Sequence, residues 1–176
     1  INKASFVGHS LGGYISLAFI EKYPNKVGKL ILLNSSSEED SPERKINRDR
    51  AVKIIKHNKD VFILMAIRSL FPESQQNNYL DFIDKLSKNA ISFSTDGIIA
   101  SIKGMKERKD RTSILKSFKG EKYMISGIDD QIIPFSSSKK VAKSSQTKLI
   151  NVDSGHMSIN ENINKIIEIV YFIDFL

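Results

Sequence analysis

The stretch Gly8-His9-Ser10-Leu11-Gly12-Gly13 decides how the rest of this chain is interpreted. It follows a short apolar run, Ala4-Ser5-Phe6-Val7, and opens a helical pattern that continues to Tyr23. Gly-x-Ser-x-Gly between a strand and a helix predicts a very tight turn with the serine at its tip. Side chains two residues to either side would collide there, so glycine at positions 8 and 12 is expected to remove the collision. The first N–H groups of the helix are expected to face any oxygen bound beside the serine.

The motif alone does not decide what the chain does. Three fixed positions of this kind arise by chance in roughly one chain in twenty of this length. The plainer alternative is a glycine-rich turn in which Ser10 has no chemical role. The remainder of the sequence therefore has to separate the two interpretations.

Composition and charge indicate the general class of the chain. Its 176 residues are 40% hydrophobic and 27% charged, which is typical of a soluble globular protein with one core. The absence of cysteine excludes disulfides and thiolate zinc sites and fits a reducing compartment, so a cytoplasmic location is expected. The net charge of +7 comes mainly from lysines interspersed with acids, which favours a solvated surface over nucleic-acid binding. The apolar tail 166–176 is too short to span a bilayer.

Strand and helix patterns alternate near both ends of the chain but not in its middle. The middle, from Ser41 to about Arg108, is predicted as three or four amphipathic helices inserted between two strands. The flanking parts favour an α/β fold, a largely parallel sheet with helices on both faces. The predicted strands are 3–7, 27–33, 122–126 and 148–152, and the predicted flanking helices are 11–23, 135–145 and 158 to the C-terminus.

Three chemically distinctive segments each follow a predicted strand. Ser10 follows the first strand, the acidic loop with Asp129 and Asp130 follows the third, and Asp153-Ser154-Gly155-His156-Met157 follows the fourth. The carboxyl ends of parallel strands meet at one edge of a sheet, so these segments are expected to converge. Together they can form a Ser-His-Asp triad. In such a triad the serine attacks, the histidine takes and returns its proton, and the acid orients the histidine.

The three segments together resemble the three signatures of the α/β-hydrolase superfamily. The segments are Gly-His-Ser-Leu-Gly-Gly, Gly-Ile-Asp-Asp-Gln-Ile-Ile-Pro and Ser-Gly-His-Met, and they are most similar to the branch of small esterases, lactonases and C–C hydrolases with a helical cap. The resemblance implies an α/β-hydrolase fold with a core from residues 1–36 and 111–176 and a helical cap from residues 37–110.

The resemblance also implies a role for individual residues of this sequence. The nucleophile falls on Ser10 and the base on His156. The acid loop of the branch commonly reads Gly-x-x-Asp-x-x-x-Pro, which places the acid on Asp130 and leaves Asp129 as the alternative. The backbone N–H of Leu11 is implied as one donor of the oxyanion hole.

Other polar residues near these segments are expected to have structural roles. Asp153 is expected to bond to backbone and His9 to be an unreactive neighbour of the serine. Arg108 and Arg111 are expected to form ion pairs, with substrate contact as the alternative. His57 lies in a lysine-rich stretch and is expected to be solvated. The alternative role for His156 is to cap the last helix. No cofactor is implied, and a metal site from residues 9, 130 and 156 lacks a ligand-spacing signature.

The resemblance implies a serine hydrolase that acts on a carboxylic ester, lactone or related carbonyl substrate. The apolar helices of the predicted cap indicate a small or medium hydrophobic substrate, with packing of the same residues on one another as the alternative. Cofactor-free haloperoxidase and C–C bond hydrolase chemistry are alternatives on the same triad. A third alternative is a truncated remnant that only binds, because the family builds several strands before the serine and only nine residues precede Ser10 here. The chain is therefore expected to be a C-terminal part, without the early loop that supplies the second oxyanion donor. The sequence does not indicate an oligomeric state.

Overall fold

The computed structural model describes the backbone of residues 2–175 and the side chains of residues 2–173. Ile1 and Leu176, which bound two of the predicted ranges, lie outside the described residues. The chain divides into two compact units, the first formed by Ile1–Glu38 with Asp110–Leu176 and the second by Glu39–Lys109. The second unit occupies the part of the chain in which the helical insertion 37–110 is predicted, and its role as a cap stays a prediction.

A parallel sheet forms the centre of the first unit. Its strands in the described residues are β1 (Ala4–His9), β2 (Val27–Leu33), β3 (Glu121–Gly127) and β4 (Lys148–Val152), in the spatial order β1-β2-β3-β4. Every neighbouring pair runs parallel, with Leu32 opposite Met124 and Ile125 opposite Ile150. Because the strands share one direction, their carboxyl ends lie along a single edge of the sheet.

Helices connect the strands and fill the second unit. In the first unit they are α1 (Leu11–Lys22), α6 (Thr112–Ser117), α7 (Phe135–Ser145), α8 (Ser158–Glu161) and α9 (Ile163–Phe175). In the second unit they are α2 (Pro42–His57), α3 (Lys59–Arg68), α4 (Leu80–Ile91) and α5 (Thr95–Glu107). Short 3₁₀ helices at Pro24–Lys26 and Glu73–Tyr79 complete the order. The predicted α/β class with helices on both faces of the sheet is confirmed.

The two faces of the sheet are covered by different helices. Alternate residues of β2 point to opposite faces, so its apolar run is buried on both sides. One face packs against α1, α6 and α7, with Leu17, Ile20, Leu115, Val141 and Ala142 against Leu30, Leu32 and Met124. The other face packs against α9, with Ile166, Ile169 and Ile173 against Ile31, Leu33, Tyr123 and Ile125.

The helix predicted from Ser158 to the C-terminus is interrupted, contrary to the expectation of one continuous element. It ends at Glu161 and a new helix begins at Ile163. Asn162 lies between them with φ −147° and ψ 54°, outside the helical region, and its side-chain nitrogen is 3.4 Å from the carbonyl oxygen of Asp153. The break therefore coincides with a contact from the Asn162 side chain to the loop after β4.

A buried ion-pair cluster ties α2 to α5 inside the second unit. The Asp40 carboxylate lies 3.3 Å from Arg44, 3.1 Å from Arg48 and 2.9 Å from Arg108. Burial raises the pKa of Asp40, but the hydrogen bond from Arg48 and the charge of Arg108 outweigh it, so this pKa lies below its ordinary value. In the first unit Arg111 pairs with Glu21 at 2.9 Å. Arg108 and Arg111, the two arginines expected to form ion pairs, therefore both do so.

No helix in the described part of the chain has both the length and the apolar character that crossing a membrane requires.

The inner strand β3 should be the part of the core most sensitive to shortening of a side chain. Ile125 has no exposed surface, so Ile125→Ala removes buried apolar area and leaves a cavity, and we expect a loss of about 2–5 kcal/mol in the free energy of unfolding. Ile167→Ala, at an exposed position of α9, is the matched control and should change it by at most about 0.5 kcal/mol. Urea unfolding of both variants checks this, and equal losses would contradict the assignment of the core.

Candidate active site

A strained turn between β1 and α1 carries Ser10. Ser10 has φ 50° and ψ −116°, a backbone conformation that side-chain-bearing residues adopt at a cost of about 1–3 kcal/mol. Its N–H donates to the carbonyl of Leu33 at 3.0 Å, and its own carbonyl accepts from the N–H of Gly13 at 3.0 Å. The Ser35 hydroxyl donates to the same carbonyl at 2.8 Å. These bonds hold the turn in a conformation that it would not adopt alone.

The glycines that this turn requires are Gly8 and Gly13, and the expectation for Gly12 is wrong. A Cβ added at Gly8 would lie 2.6 Å from the nitrogen of Gly13 and 2.7 Å from the carbonyl carbon of Gly12. One added at Gly13 would lie 2.2 Å from the Ser35 hydroxyl oxygen. One added at Gly12 would meet no atom within 4 Å. Position 12 points away from the turn, so the collision that sequence reasoning assigned to it does not exist.

Alanine substitutions at Gly8 and Gly12 test which of these positions requires glycine. Gly8→Ala forces backbone apart and should cost about 1–3 kcal/mol in the free energy of unfolding. Gly12→Ala meets open space at a helical position, where alanine is favoured over glycine by up to about 1 kcal/mol, so it should leave stability unchanged or raise it. Chemical denaturation measures both, and a Gly12→Ala loss as large as that of Gly8→Ala would refute this account of the turn.

Ser10, His156 and Asp130 form one hydrogen-bonded chain at the carboxyl edge of the sheet. The Nε2 of His156 lies 2.9 Å from the Ser10 hydroxyl oxygen. The Nδ1 of His156 lies 2.9 Å from one carboxylate oxygen of Asp130 and 3.1 Å from the other. An ionised carboxylate can only accept, so Nδ1 carries the proton, and in a neutral imidazole Nε2 is then the acceptor for the serine hydroxyl. This is the arrangement in which a histidine can remove the serine proton.

Asp130, and not Asp129, contacts the imidazole. Asp130 is 5% exposed, whereas Asp129 is exposed to solvent. One oxygen of Asp130 also accepts from the N–H groups of Ile132 and Ile133, both at 2.8 Å. Burial raises the pKa of Asp130, but the hydrogen bond and charge of His156, with the Ile133 amide and the Asn34 side chain, outweigh it, so the pKa lies below its ordinary value. The carboxylate is therefore held ionised beside the imidazole.

The lowered pKa of Asp130 links its ionisation to stability. A depressed folded-state pKa contributes stability that is present above the ordinary aspartate pKa of about 3.9 and is lost as pH falls through the folded value. We expect the free energy of unfolding to fall as the pH is lowered from about 5 towards 3. Asp130→Asn should remove part of that fall, as measured by urea unfolding across this range. Asp129→Asn is the matched control from the same loop, and an equal effect of the two substitutions would contradict the assignment.

The start of the chain is similar to a known family. Residues 1–53 match the family model described as alpha/beta hydrolase fold. The whole fold is similar to that of an esterase from Thermogutta terrifontis, with a TM-score of 0.87 and 28% sequence identity over 97% of this chain. The chain has the α/β-hydrolase fold. The resemblance inferred from the three sequence segments is thereby confirmed.

Two further solved structures share the α/β-hydrolase fold at lower identity. A hydrolase from Pseudomonas aeruginosa PA01 is similar over 100% of this chain, with a TM-score of 0.89 and 18% identity. An enol-lactonase from Burkholderia xenovorans LB400 is similar over 97% of this chain, with a TM-score of 0.85 and 18% identity. The chain covers 64% of the length of the Thermogutta esterase, 66% of the Pseudomonas hydrolase and 65% of the Burkholderia lactonase.

Asn34 supports the Asp130 carboxylate and was missed by sequence reasoning. Its side-chain nitrogen donates to Asp130 at 2.9 Å and to the carbonyl of Gly155 at 3.0 Å, and its side-chain oxygen accepts from the Ser158 hydroxyl. Asn34 is fully buried and has φ 45°, in the left-handed region that asparagine tolerates. The signal was present, because Asn34 directly follows β2 and therefore stands at the same edge as the other three segments.

The two other histidines occupy different environments. The Nε2 of His9 donates to the backbone carbonyl of His156 at 2.9 Å, so His9 helps to hold that loop. Burial lowers the pKa of His9 more than its hydrogen bond to His156 raises it, which favours the neutral ring. His57 is exposed at the end of α2. Asp153 is also exposed, and its backbone carbonyl accepts the hydrogen bond from Asn162.

Leu11 is the first residue of α1, directly after Ser10. The first N–H groups of a helix have no intrahelical acceptor, so the Leu11 N–H is available in principle to an oxygen bound at the serine. Its part in an oxyanion hole stays a prediction. Within the described residues, no three His, Cys, Asp or Glu side chains are grouped in a way that could hold a metal ion.

Proposed function

We propose that this chain carries the catalytic machinery of a serine hydrolase that cleaves a carboxylic ester, lactone or related carbonyl substrate. The observation that carries the proposal is the continuous hydrogen-bonded chain from the Ser10 hydroxyl through His156 to Asp130. Two structural relatives, an esterase and an enol-lactonase by description, support the same class of substrate.

The geometry suggests how the first half of the reaction would proceed. The Ser10 oxygen attacks the carbonyl carbon while its proton passes to the Nε2 of His156, 2.9 Å away. The carbonyl oxygen becomes an oxyanion, for which the Leu11 N–H is the proposed donor from this chain. The tetrahedral intermediate then expels the alcohol or ring oxygen, which takes the proton from His156 and leaves an acyl group on the serine. Asp130 stays ionised and stabilises the transient imidazolium.

Water completes the cycle in the second half. His156 removes a proton from a water molecule, the water oxygen attacks the acyl carbon, and the Ser10–acyl bond breaks as the serine oxygen recovers its proton. No cofactor takes part in this scheme. We propose a small hydrophobic substrate from the apolar character of the sequence between residues 37 and 110. A cytoplasmic location is proposed on the absence of cysteine alone.

Fluorophosphonate labelling tests the proposal directly. The probe forms a bond between its phosphorus and an activated serine oxygen, so we expect labelling of Ser10 and hydrolysis of a short p-nitrophenyl ester. Ser10→Ala should abolish labelling and lower kcat by about 10⁴-fold or more. Ser117→Ala, an exposed serine at the end of α6, is the matched control and should change neither.

The remaining outcomes separate the alternatives. Assays with an ester, a peracid-forming acid and a diketone would show whether the same triad performs haloperoxidase or C–C hydrolase chemistry instead. Absence of both labelling and turnover in a chain whose fold is intact by circular dichroism would overturn the proposal for this chain and favour a binding role.

A further inference from the structure

One carboxylate binds the main chain on both sides of His156. The Oε2 of Glu161 accepts from the N–H of Gly155 at 2.7 Å, and its Oε1 accepts from the N–H of Met157 at 2.9 Å. The two amides belong to the residues immediately before and after the histidine. Hydrogen bonds to an ionised acceptor are roughly twice as strong as those between neutral groups, so this contact is a strong restraint on the loop.

Several other contacts bind carbonyl groups of the loop that carries His156. The loop follows β4 and lies outside the sheet ladder, and the N–H of Asp129 donates to the carbonyl of Ser154 at 3.1 Å. His9 binds the carbonyl of His156 at 2.9 Å, and Asn34 binds the carbonyl of Gly155 at 3.0 Å. These two contacts engage carbonyl groups. Glu161 engages amide groups of the same loop, so the loop is held from both its donor and its acceptor groups.

The position of the main chain matters because the imidazole has no freedom to compensate. The side chain of His156 is 2% exposed and must reach Asp130 with one nitrogen and Ser10 with the other. A small displacement of its Cα lengthens at least one of those bonds. A misplacement of about 1 Å in a reacting group can cost about 100-fold in rate.

Capping of α8 is the simpler role for Glu161, and it does not account for both contacts. The N–H of Glu161 donates to the carbonyl of Met157 at 2.9 Å as in a regular helical turn, while its side chain returns to the N–H of Met157 at the start of α8. The bond to Gly155 lies outside such a cap, on the far side of His156. It is also the shorter of the two bonds that the carboxylate accepts.

We propose that Glu161 is a positioning residue that holds His156 in register with Ser10 and Asp130 through the two flanking amides. The inference rests on the proposed function for its kinetic consequence, but the restraint on the imidazole exists whether or not the chain turns over a substrate. Glu161 acts through the main chain of the loop and contributes no reacting atom.

Three variants test the inference. Glu161→Ala removes both acceptor oxygens. Glu161→Gln keeps one acceptor oxygen but sets an NH₂ group against the other amide, so the loss of activity should be larger for alanine. We expect kcat for a short p-nitrophenyl ester to fall by about 10- to 100-fold in Glu161→Ala and by less in Glu161→Gln, with KM nearly unchanged. Glu168→Gln is the matched control, since it removes the charge of an exposed glutamate of α9 that pairs with Lys165.

A second readout does not depend on turnover. The Nδ1 proton of His156, which lies in the hydrogen bond to Asp130, is followed by proton NMR at low field in the parent and in each variant. We expect this resonance to shift or broaden in Glu161→Ala and to stay in place in Glu168→Gln. Thermal unfolding of each variant records the separate effect of the helix cap.

The outcomes are distinct. An unmoved His156 resonance in Glu161→Ala, with a lowered unfolding temperature, would overturn the inference and leave Glu161 as a helix cap only. Turnover that survives Ser10→Ala would overturn the proposed function, while the NMR comparison would still decide the role of Glu161. A moved resonance with a graded fall in kcat would support both.

Discussion

A buried negative charge is the constraint around which the carboxyl edge of this sheet is arranged. Asp130 is nearly inaccessible to solvent, and an ionised carboxylate in that position is stable only when donors surround it. The amides of Ile132 and Ile133, the side chain of Asn34 and the imidazole of His156 supply them. Each donor comes from its own loop or from a neighbouring strand end, so the charge brings three parts of the chain together.

The parallel sheet makes that convergence possible. Ser10, Asn34, Asp130 and His156 follow β1, β2, β3 and β4 in turn, and the shared strand direction places all four at one edge. The price is that none of these residues belongs to a regular ladder. Their backbones are therefore restrained by individual contacts, such as the Ser35 hydroxyl on the Ser10 carbonyl and the Glu161 carboxylate on the amides beside His156.

The clearest strand in the sequence was β2, because burial on both faces leaves a nearly continuous apolar run. The predicted limits of β2 and β4 agree with the structure, and the strand-end rule was enough to bring Ser10, Asp130 and His156 together. The supporting residues were harder to predict. Asn34 looks like an ordinary loop residue, and Glu161 looks like one more acid on a helix, until the partners they reach are known.

Two errors show where local pattern fails. The requirement for glycine at position 12 was assumed from the symmetry of the motif, whereas the direction of the missing Cβ depends on how α1 leaves the turn. The break at Asn162 was overlooked because the apolar spacing continues across it. In both cases the deciding quantity is a backbone direction, which periodicity in sequence does not specify.

The distance along the chain between Ser10 and His156, 146 residues, has a consequence for how the protein comes into being. A contact between such distant residues forms only after the entropy of closing a long loop has been overcome, so it belongs to the late steps of folding. On a ribosome that adds about 5–20 residues per second, the serine emerges many seconds before its partner histidine. Throughout that interval the Ser10 hydroxyl lacks the imidazole to which it is hydrogen-bonded in the folded chain.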